Sequence, residues 1–408
     1  MELRMEAVER RLRELLDETS EPLCAYVYDL EALRRHAAAV TAALPPRCEL
    51  FYAIKANSDL PVLRTLAPLV AGFEVSSGGE LAWVREHFAD APVIFSGPGK
   101  TDEELRLAIR SGVEAIHVES LNELRRLAWL ANAQGRQAPV LLRMNLSLPG
   151  LAATTLMMGG KPTPFGIPAD QLPHALHLLR DAPSLRLRGF HFHLLSHQLD
   201  AAAHVELIAG YAAQVRDWCR EHGLSIDHIN VGGGIGVNYR EPARQFDLAA
   251  FADGLRRLCE RDPSLPRLRF ECGRYITAAC GYYAMQVIDL KHAFGRDYVV
   301  ARGGTHHFRT PPAQGHSHPF TVLPVEHWPY PWERPALSDA TVNVVGQLCT
   351  PKDVLAFDAP VTRVRAGDLV VFPFAGAYAW HISHQGFLRH PAPRQEFLPV
   401  EDEHAAAE

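Results

Sequence analysis

Lys55 closes the run FYAIKAN (51–57), in which the residues ahead of it are apolar or aromatic. A single lysine after such a segment can be a surface residue whose stem lies over apolar neighbours. If other ionisable groups share its surroundings, the same lysine is desolvated, its pKa falls, and its amine can form a Schiff base with a carbonyl. Capable groups recur along the chain, each at the end of a short apolar run: Glu74, Ser76 and Ser77 in GFEVSS, Arg143 and Asn145 in VLLRMN, and His193 and Ser196 in GFHFHLLS. Two more runs end the same way, at Gly232, Gly233 and Gly234 in NVGGG and at Glu271 and Arg274 in RFECGR. Other readings stay open for several of these. His191 and His193 have the i, i+2 spacing with which barrel hydrolases bind zinc, although a third and fourth ligand do not follow in pattern. Glu271 could pair with Arg274 as a structural ion pair, His193 could be a satisfied buried histidine, and GHSHP (315–319) reads as a polar loop.

The elements that position these residues follow from hydrophobic periodicity. Eight apolar runs, beginning at 51, 72, 92, 115, 140, 189, 228 and 267, alternate with amphipathic stretches such as SLNELRRLAWLANA. That alternation is the pattern of buried parallel strands with crossover helices, and eight units close a (β/α)8 TIM-like barrel over about residues 31–275. Between the fifth and sixth runs lies a Gly/Pro-rich loop (148–166). Beyond about 275 the strands YYAMQVIDLKHAF, YVVARGG, ATVNVVGQL and VTRVRAGDLVVFPFAG follow without helices, predicting a C-terminal antiparallel β domain over 276–400. CAYVYDL, within residues 20–30, could supply it with a further strand. Residues 1–19 predict a leading helix, and EDEHAAAE a frayed tail.

In a barrel of this kind the C-terminal strand ends share one mouth, and phosphate sites form after strands seven and eight. Bare backbone N–H groups in the glycine cluster can approach an oxyanion, and Arg274 adds a charged clamp. A Schiff-base lysine and a phosphate cradle across one mouth are what pyridoxal 5′-phosphate requires, with Glu271 suited to keeping its ring nitrogen protonated.

These motifs, in order, resemble the fold-type III pyridoxal-dependent decarboxylases, the ornithine and diaminopimelate decarboxylase family with an alanine racemase-like fold. FYAIKAN is similar to its lysine motif, HFHLLS to its ring-stacking histidine and phosphate serine, GGGIG to its phosphate loop, ECGRY to its E-P-G-R-Y motif, GQLCTPKDV to its cysteine loop and FAGAYAW to its G-A-Y segment. The resemblance implies Lys55 and Cys349 as catalytic residues. It implies Glu74, Arg143, His193, Ser196, Gly233, Gly234, Glu271, Gly273, Arg274 and Tyr378 as cofactor-binding, with Glu80 supporting the lysine. It also implies a homodimer with shared active sites, in which Cys349 crosses to the partner's site. On its residue type alone Cys349 would read as a small buried hydrophobe. Cys272 replaces the usual proline, and Thr350 stands where an acidic residue commonly binds a basic amine. Arg302, His306, His307 and Arg309 then offer donors for a substrate's carboxylates, with Thr350 beside them. Within the family the resemblance extends to a siderophore-biosynthesis branch of staphyloferrin B type, which implies citryl-diaminopropionate as substrate and citryl-ethylenediamine as product. Diaminopimelate or ornithine decarboxylase is the near alternative. A racemase is disfavoured by Glu271, and a non-catalytic pyridoxal carrier by Cys349 and Tyr378.

Composition bounds the remaining classes. The 408 residues are 47% hydrophobic and 22% charged with a net charge of −6, which suits a globular chain and gives no basic footprint for nucleic acid. No apolar run is long enough to span a membrane, the N-terminus lacks a signal-peptide core, and seven cysteines without a C-x-x-C pair suit a reduced cytoplasmic setting.

Overall fold

The computed structural model describes residues 5–147, 160 and 162–400. The loop expected over 148–166 therefore lies largely outside the described residues, as do the first four positions of the leading helix and the tail from 401.

Strand β1 (Cys24–Asp29) precedes eight strands that close on themselves: β2 (Cys48–Ala53), β3 (Gly72–Val75), β4 (Val93–Phe95), β5 (Ala115–Val118), β6 (Ala138–Asn145), β7 (Leu185–His191), β8 (His228–Asn230) and β9 (Arg267–Cys272). Each pairs in parallel with the next in chain order, and β9 returns to β2 with Glu271 opposite Phe51, so this sheet has no free edge. Five of the helices between them, and the helix Leu30–Ala43 ahead of β2, begin at side-chain caps that satisfy otherwise orphaned N–H groups, at Ser77, Thr101, Ser120, Asp200, Asp247 and Asp29, whereas Leu60–Leu66 and Leu172–Arg180 start without one. Thr101 and Glu104 form a reciprocal capping box.

The period-two alternation of strands stacks the barrel interior in layers. At the N-terminal end Arg269 pairs with Glu49 (2.8 Å) and with Glu114. One step along each strand, Phe51, Ile94, Ala115 and Leu141 form a small apolar plug, with the Arg269 guanidinium over the Phe51 ring. The next inward positions, His117, His191 and Glu271, form a polar layer. At the mouth stand Lys55, Glu74, Ser96 and Arg143.

The second sheet is built from β10 (Gly281–Ala293), β11 (Arg296–Ala301), β12 (Thr321–Leu323), β13 (Ala336–Val345), β14 (Val354–Arg365), β15 (Leu369–Phe372) and β16 (Arg394–Leu398), together with β1. It is mostly antiparallel, but β1 pairs in parallel with β16, and β11 with β13, because the chain re-enters the sheet there after long excursions. The leading helix, Met5–Asp17, buries Val8, Leu12 and Leu15 against Ala25, Val27 and Tyr282. Among the described residues, no helix is long and apolar enough to cross a membrane.

Candidate active site

A cavity of about 470 Å³ opens at the C-terminal end of the barrel, lined among others by Lys55, Arg143, His193, Glu271, Arg274 and Tyr378. Lys55 stands in a single turn, Ile54–Ala56, just past the end of β2, so its side chain leaves the sheet and enters the mouth. Glu74, on the neighbouring strand and wholly buried, takes up the Lys55 ammonium and also accepts from the hydroxyls of Ser76 (2.9 Å) and Ser96. Burial opposes the charge on Lys55, but Glu74, then Tyr378 and Glu271, outweigh it and hold the pKa above the ordinary lysine value. The depressed pKa expected from sequence is therefore reversed here, because an apolar strand delivers the lysine into a nest of acids. Burial likewise resists the charge on Glu74, yet Lys55 and the two serines hold its pKa below the usual carboxylate value. Glu80, expected to support the lysine, instead accepts from the Ser76 backbone N–H at 2.6 Å.

Glu271 lies deeper. Its Oε1 accepts from Asn230 Nδ2 at 2.8 Å, and burial, followed by repulsion from Glu74, pushes its pKa up to about 8. No ion pair with Arg274 forms. Arg274 instead donates to the Tyr239 hydroxyl at 2.8 Å and lies 4.6 Å from the centre of the Tyr378 ring. Arg143 is held by Glu119 at 2.8 Å and sits over Phe165.

His193 is fixed from both sides. Its Nδ1 accepts from the Gly233 N–H at 3.3 Å, and its Nε2 lies 3.1 Å from Ser196 Oγ. Burial, then Arg143 and Lys55, bring its pKa down to about 3, so the ring is neutral and Nε2–H is the donor to Ser196. Gly233, expected to bind the cofactor, thus spends its N–H on His193 and does not line the cavity, whereas Gly234 does. Gly234 has φ +82, and a Cβ there would stand 2.8 Å from the Leu195 carbonyl oxygen, so only glycine fits without strain. Gly273 caps the short helix Arg274–Thr277, and Tyr378 adopts φ +51 with its N–H on the Ala56 carbonyl at 2.8 Å.

Several expected residues are not brought to this cavity within one chain. Cys349 is exposed on the loop after β13. Its neighbour Thr350 lines a separate cleft with Leu348 and Asp353. Arg302 faces Glu21 at 3.6 Å. His306 and His307 are buried, the latter with Nδ1 3.2 Å from the Tyr283 hydroxyl, and the Arg309 backbone N–H donates to Ser383. Of the donors expected for a substrate's carboxylates, His306 and His307 are therefore turned into the β domain, whereas Arg302 is half-buried and Arg309 exposed. GHSHP is not a solvated loop, since His316 and His318 are buried and His316 stacks on Tyr239 at 4.9 Å. The alternative zinc pair does not converge: His191 turns to His117 and Glu271, which with it form a group of ligand-capable side chains, whereas His193 turns to Ser196. Tyr239, His197, Gln314 and Asn230 were missed from sequence. The signal for Tyr239 was its place just after the glycine loop.

Residues 30–278 match the family described as pyridoxal-dependent decarboxylase, pyridoxal binding domain. The chain belongs to the pyridoxal-dependent decarboxylases. It is 42% identical over 386 residues to the 2-[(L-alanin-3-ylcarbamoyl)methyl]-2-hydroxybutanedioate decarboxylase of Staphylococcus aureus, covering 94% of this chain and 96% of that one. It is 31% identical to the diaminopimelate decarboxylase of Vibrio cholerae, covering 91% and 86%. In structure it is similar to the diaminopimelate decarboxylase of Helicobacter pylori complexed with L-lysine, with TM-score 0.84, 25% identity and coverage of 96% and 94%.

The cofactor of this family, pyridoxal 5′-phosphate, fits the residues present. Among the described residues no carboxylate pairs with Arg274, which leaves its charge for a phosphate. Gly234 brings its backbone to the cavity wall with no side chain in the way, and the raised pKa of Glu271 suits a proton shared with a ring nitrogen.

Proposed function

We propose that this pyridoxal-dependent decarboxylase removes the carboxylate from the amino-acid end of a citrate amide, citryl-diaminopropionate, to give citryl-ethylenediamine for siderophore assembly. Near-full-length likeness to the Staphylococcus aureus decarboxylase carries the reading. The replacement of an acidic residue by Thr350 supports it, because a substrate ending in carboxylates has no use for a carboxylate partner. When bound, the cofactor supplies an electron sink for the electrons left by departing CO₂.

The chain's own residues supply the rest. Lys55 is the amine through which the cofactor is held covalently. Ser196, Gly234, Arg274 and Tyr378 hold the phosphate, and His193 and Arg143 flank the ring. Glu271 keeps a proton at the ring nitrogen, with Gly273 shaping the turn beside it. Glu74 keeps Lys55 oriented and charged once it is released.

Cys349 acts from a second copy of the chain, donating its thiol proton to the carbon that lost CO₂. Arg302 and Arg309, with Thr350, reach substrate carboxylates from that same copy, whereas His306 and His307 are buried, the latter against Tyr283 and Trp380, and hold that segment of the β domain in place. The dimer, the cytoplasmic setting, and a division into a barrel over 31–275 and a β domain over 276–400 with 20–30 belong to this proposal.

The test is CO₂ release from citryl-diaminopropionate, meso-diaminopimelate and ornithine, side by side. We expect the citrate amide to be turned over about ten-thousandfold more efficiently, the discrimination typical of a site built to pair a polar group. Preference for diaminopimelate or ornithine overturns the substrate assignment, and epimerisation without CO₂ overturns the reaction.

A further inference from the structure

Two histidines beneath the cavity have no task in the account above. His117 on β5 and His191 on β7 are both fully enclosed in the barrel, their ring centroids 4.3 Å apart. None of their four ring nitrogens reaches a hydrogen-bond partner among the described residues. A buried polar group in that state is costly, and an apolar pair would pack the barrel better. What faces them is the carboxyl of Glu271: His117 Nδ1 lies 3.4 Å from Oε1, and His191 Nε2 lies 3.6 Å from Oε2. One imidazole thus addresses each oxygen, while Asn230 holds Oε1 from β8 at 2.8 Å.

We propose that His117 and His191 are positioning residues for Glu271, fixing the plane of its carboxyl group and the place of its proton. The inference rests on the proposed function, in which Glu271 serves the cofactor's ring nitrogen. Both rings are neutral. Burial disfavours the imidazolium of each, and nearby charge adds to this, from Lys100, Arg143, Arg269 and Lys55 at His117 and from Arg143 and Lys55 at His191, where the two histidines His117 and His193 also contribute. A neutral imidazole keeps one N–H and one acceptor nitrogen. Each histidine can therefore donate to the carboxylate form of Glu271 or accept from its acid form, and the carboxyl stays oriented through a change of protonation. The other groups acting on Glu271 are Glu74, which favours its acid form, and Lys55 and Arg143, which favour its carboxylate.

The experiment compares holoenzyme variants His117→Phe, His191→Phe, the corresponding Leu variants, and His117→Asn and His191→Asn, reading the pH dependence of the bound cofactor's visible absorbance. Removing a donor to the carboxylate raises the pKa of Glu271, so the Phe and Leu variants move the midpoint upward by about one pH unit and weaken cofactor retention about tenfold. Their kcat falls while KM holds. Asn, which keeps a donor on one edge, restores the midpoint to within about half a unit. Folded Phe or Leu variants that titrate as wild type overturn the inference, and so do Asn variants displaced as far as Leu, which would make ring volume the cause. Stoichiometric metal in the purified holoenzyme also overturns it, since His117, His191 and Glu271 would then be ligands. Absence of any cofactor band in the wild type would instead sink the proposed function, so the two failures are distinct.

Discussion

The Glu74 carboxylate, buried on β3, holds the ammonium of Lys55 just beyond the end of β2. A carboxylate on the neighbouring strand therefore holds the charge of the amine proposed to carry the cofactor. The relationship inverts the simplest expectation for a lysine behind an apolar strand.

Glu74→Gln removes the largest influence raising the Lys55 pKa and leaves burial, which lowers it. The free amine is then available at lower pH. Uptake of pyridoxal 5′-phosphate by the stripped protein, followed by visible absorbance, shifts its pH midpoint downward by at least about one unit. An unmoved midpoint would mean that Glu74 does not govern the lysine.

Glu271 gives a stability signature of its own. In the stripped protein its pKa stands at about 8 against an ordinary 4.5, so the folded state binds more protons than the unfolded state between those values. The Glu271 contribution to stability therefore falls as pH rises through that window, by about 4 kcal/mol, against the rise given by buried neutral histidines such as His117, His191 and His193, and Glu271→Gln removes that contribution. Glu74, whose pKa is lowered from 4.5, contributes in the opposite sense and only as pH falls below that value, so the two windows are separate. Urea melts at pH 5 and pH 8 on both proteins check this. Equal slopes with pH would contradict it.

If Cys349 serves the site of a second copy, two inactive variants complement each other. Lys55→Ala mixed with Cys349→Ala, after dissociation and reassociation, regains roughly a quarter of wild-type activity, because half of the dimers are mixed and each holds one intact site. Recovery absent under conditions that exchange wild-type subunits would place Cys349 outside the partner's site.

Much of the barrel was legible because parallel strands buried on both faces leave continuous apolar runs, and all eight were located. Their ends converge: Lys55, Arg143, His193, Glu271 and Arg274 line one cavity, with Glu74 behind Lys55, because strand ends of a closed barrel share a mouth. What sequence could not show was direction. Gly233 and Gly234 are neighbours, yet one N–H turns to His193 while the other residue faces the cavity, a distinction made by local backbone angles. His306 and His307 read as surface donors from their polar setting, but packing beside Tyr283 and Trp380 buries them. Strand β16 was missed because Arg394–Leu398 is short and half polar, and its place beside β1 depends on tertiary pairing. His117 gave no local signal, since its partner Glu271 lies far along the chain.

The most direct measurement is borohydride reduction of the holoenzyme followed by peptide mass mapping. Lys55, Lys100, Lys161, Lys291 and Lys352 are the lysines of this chain, so the alternatives are few. The account predicts a pyridoxyl mass on Lys55, lost in Lys55→Ala with no other lysine taking its place. A pyridoxyl group on any other lysine, or visible absorbance that survives reduction and dialysis in Lys55→Ala, contradicts it.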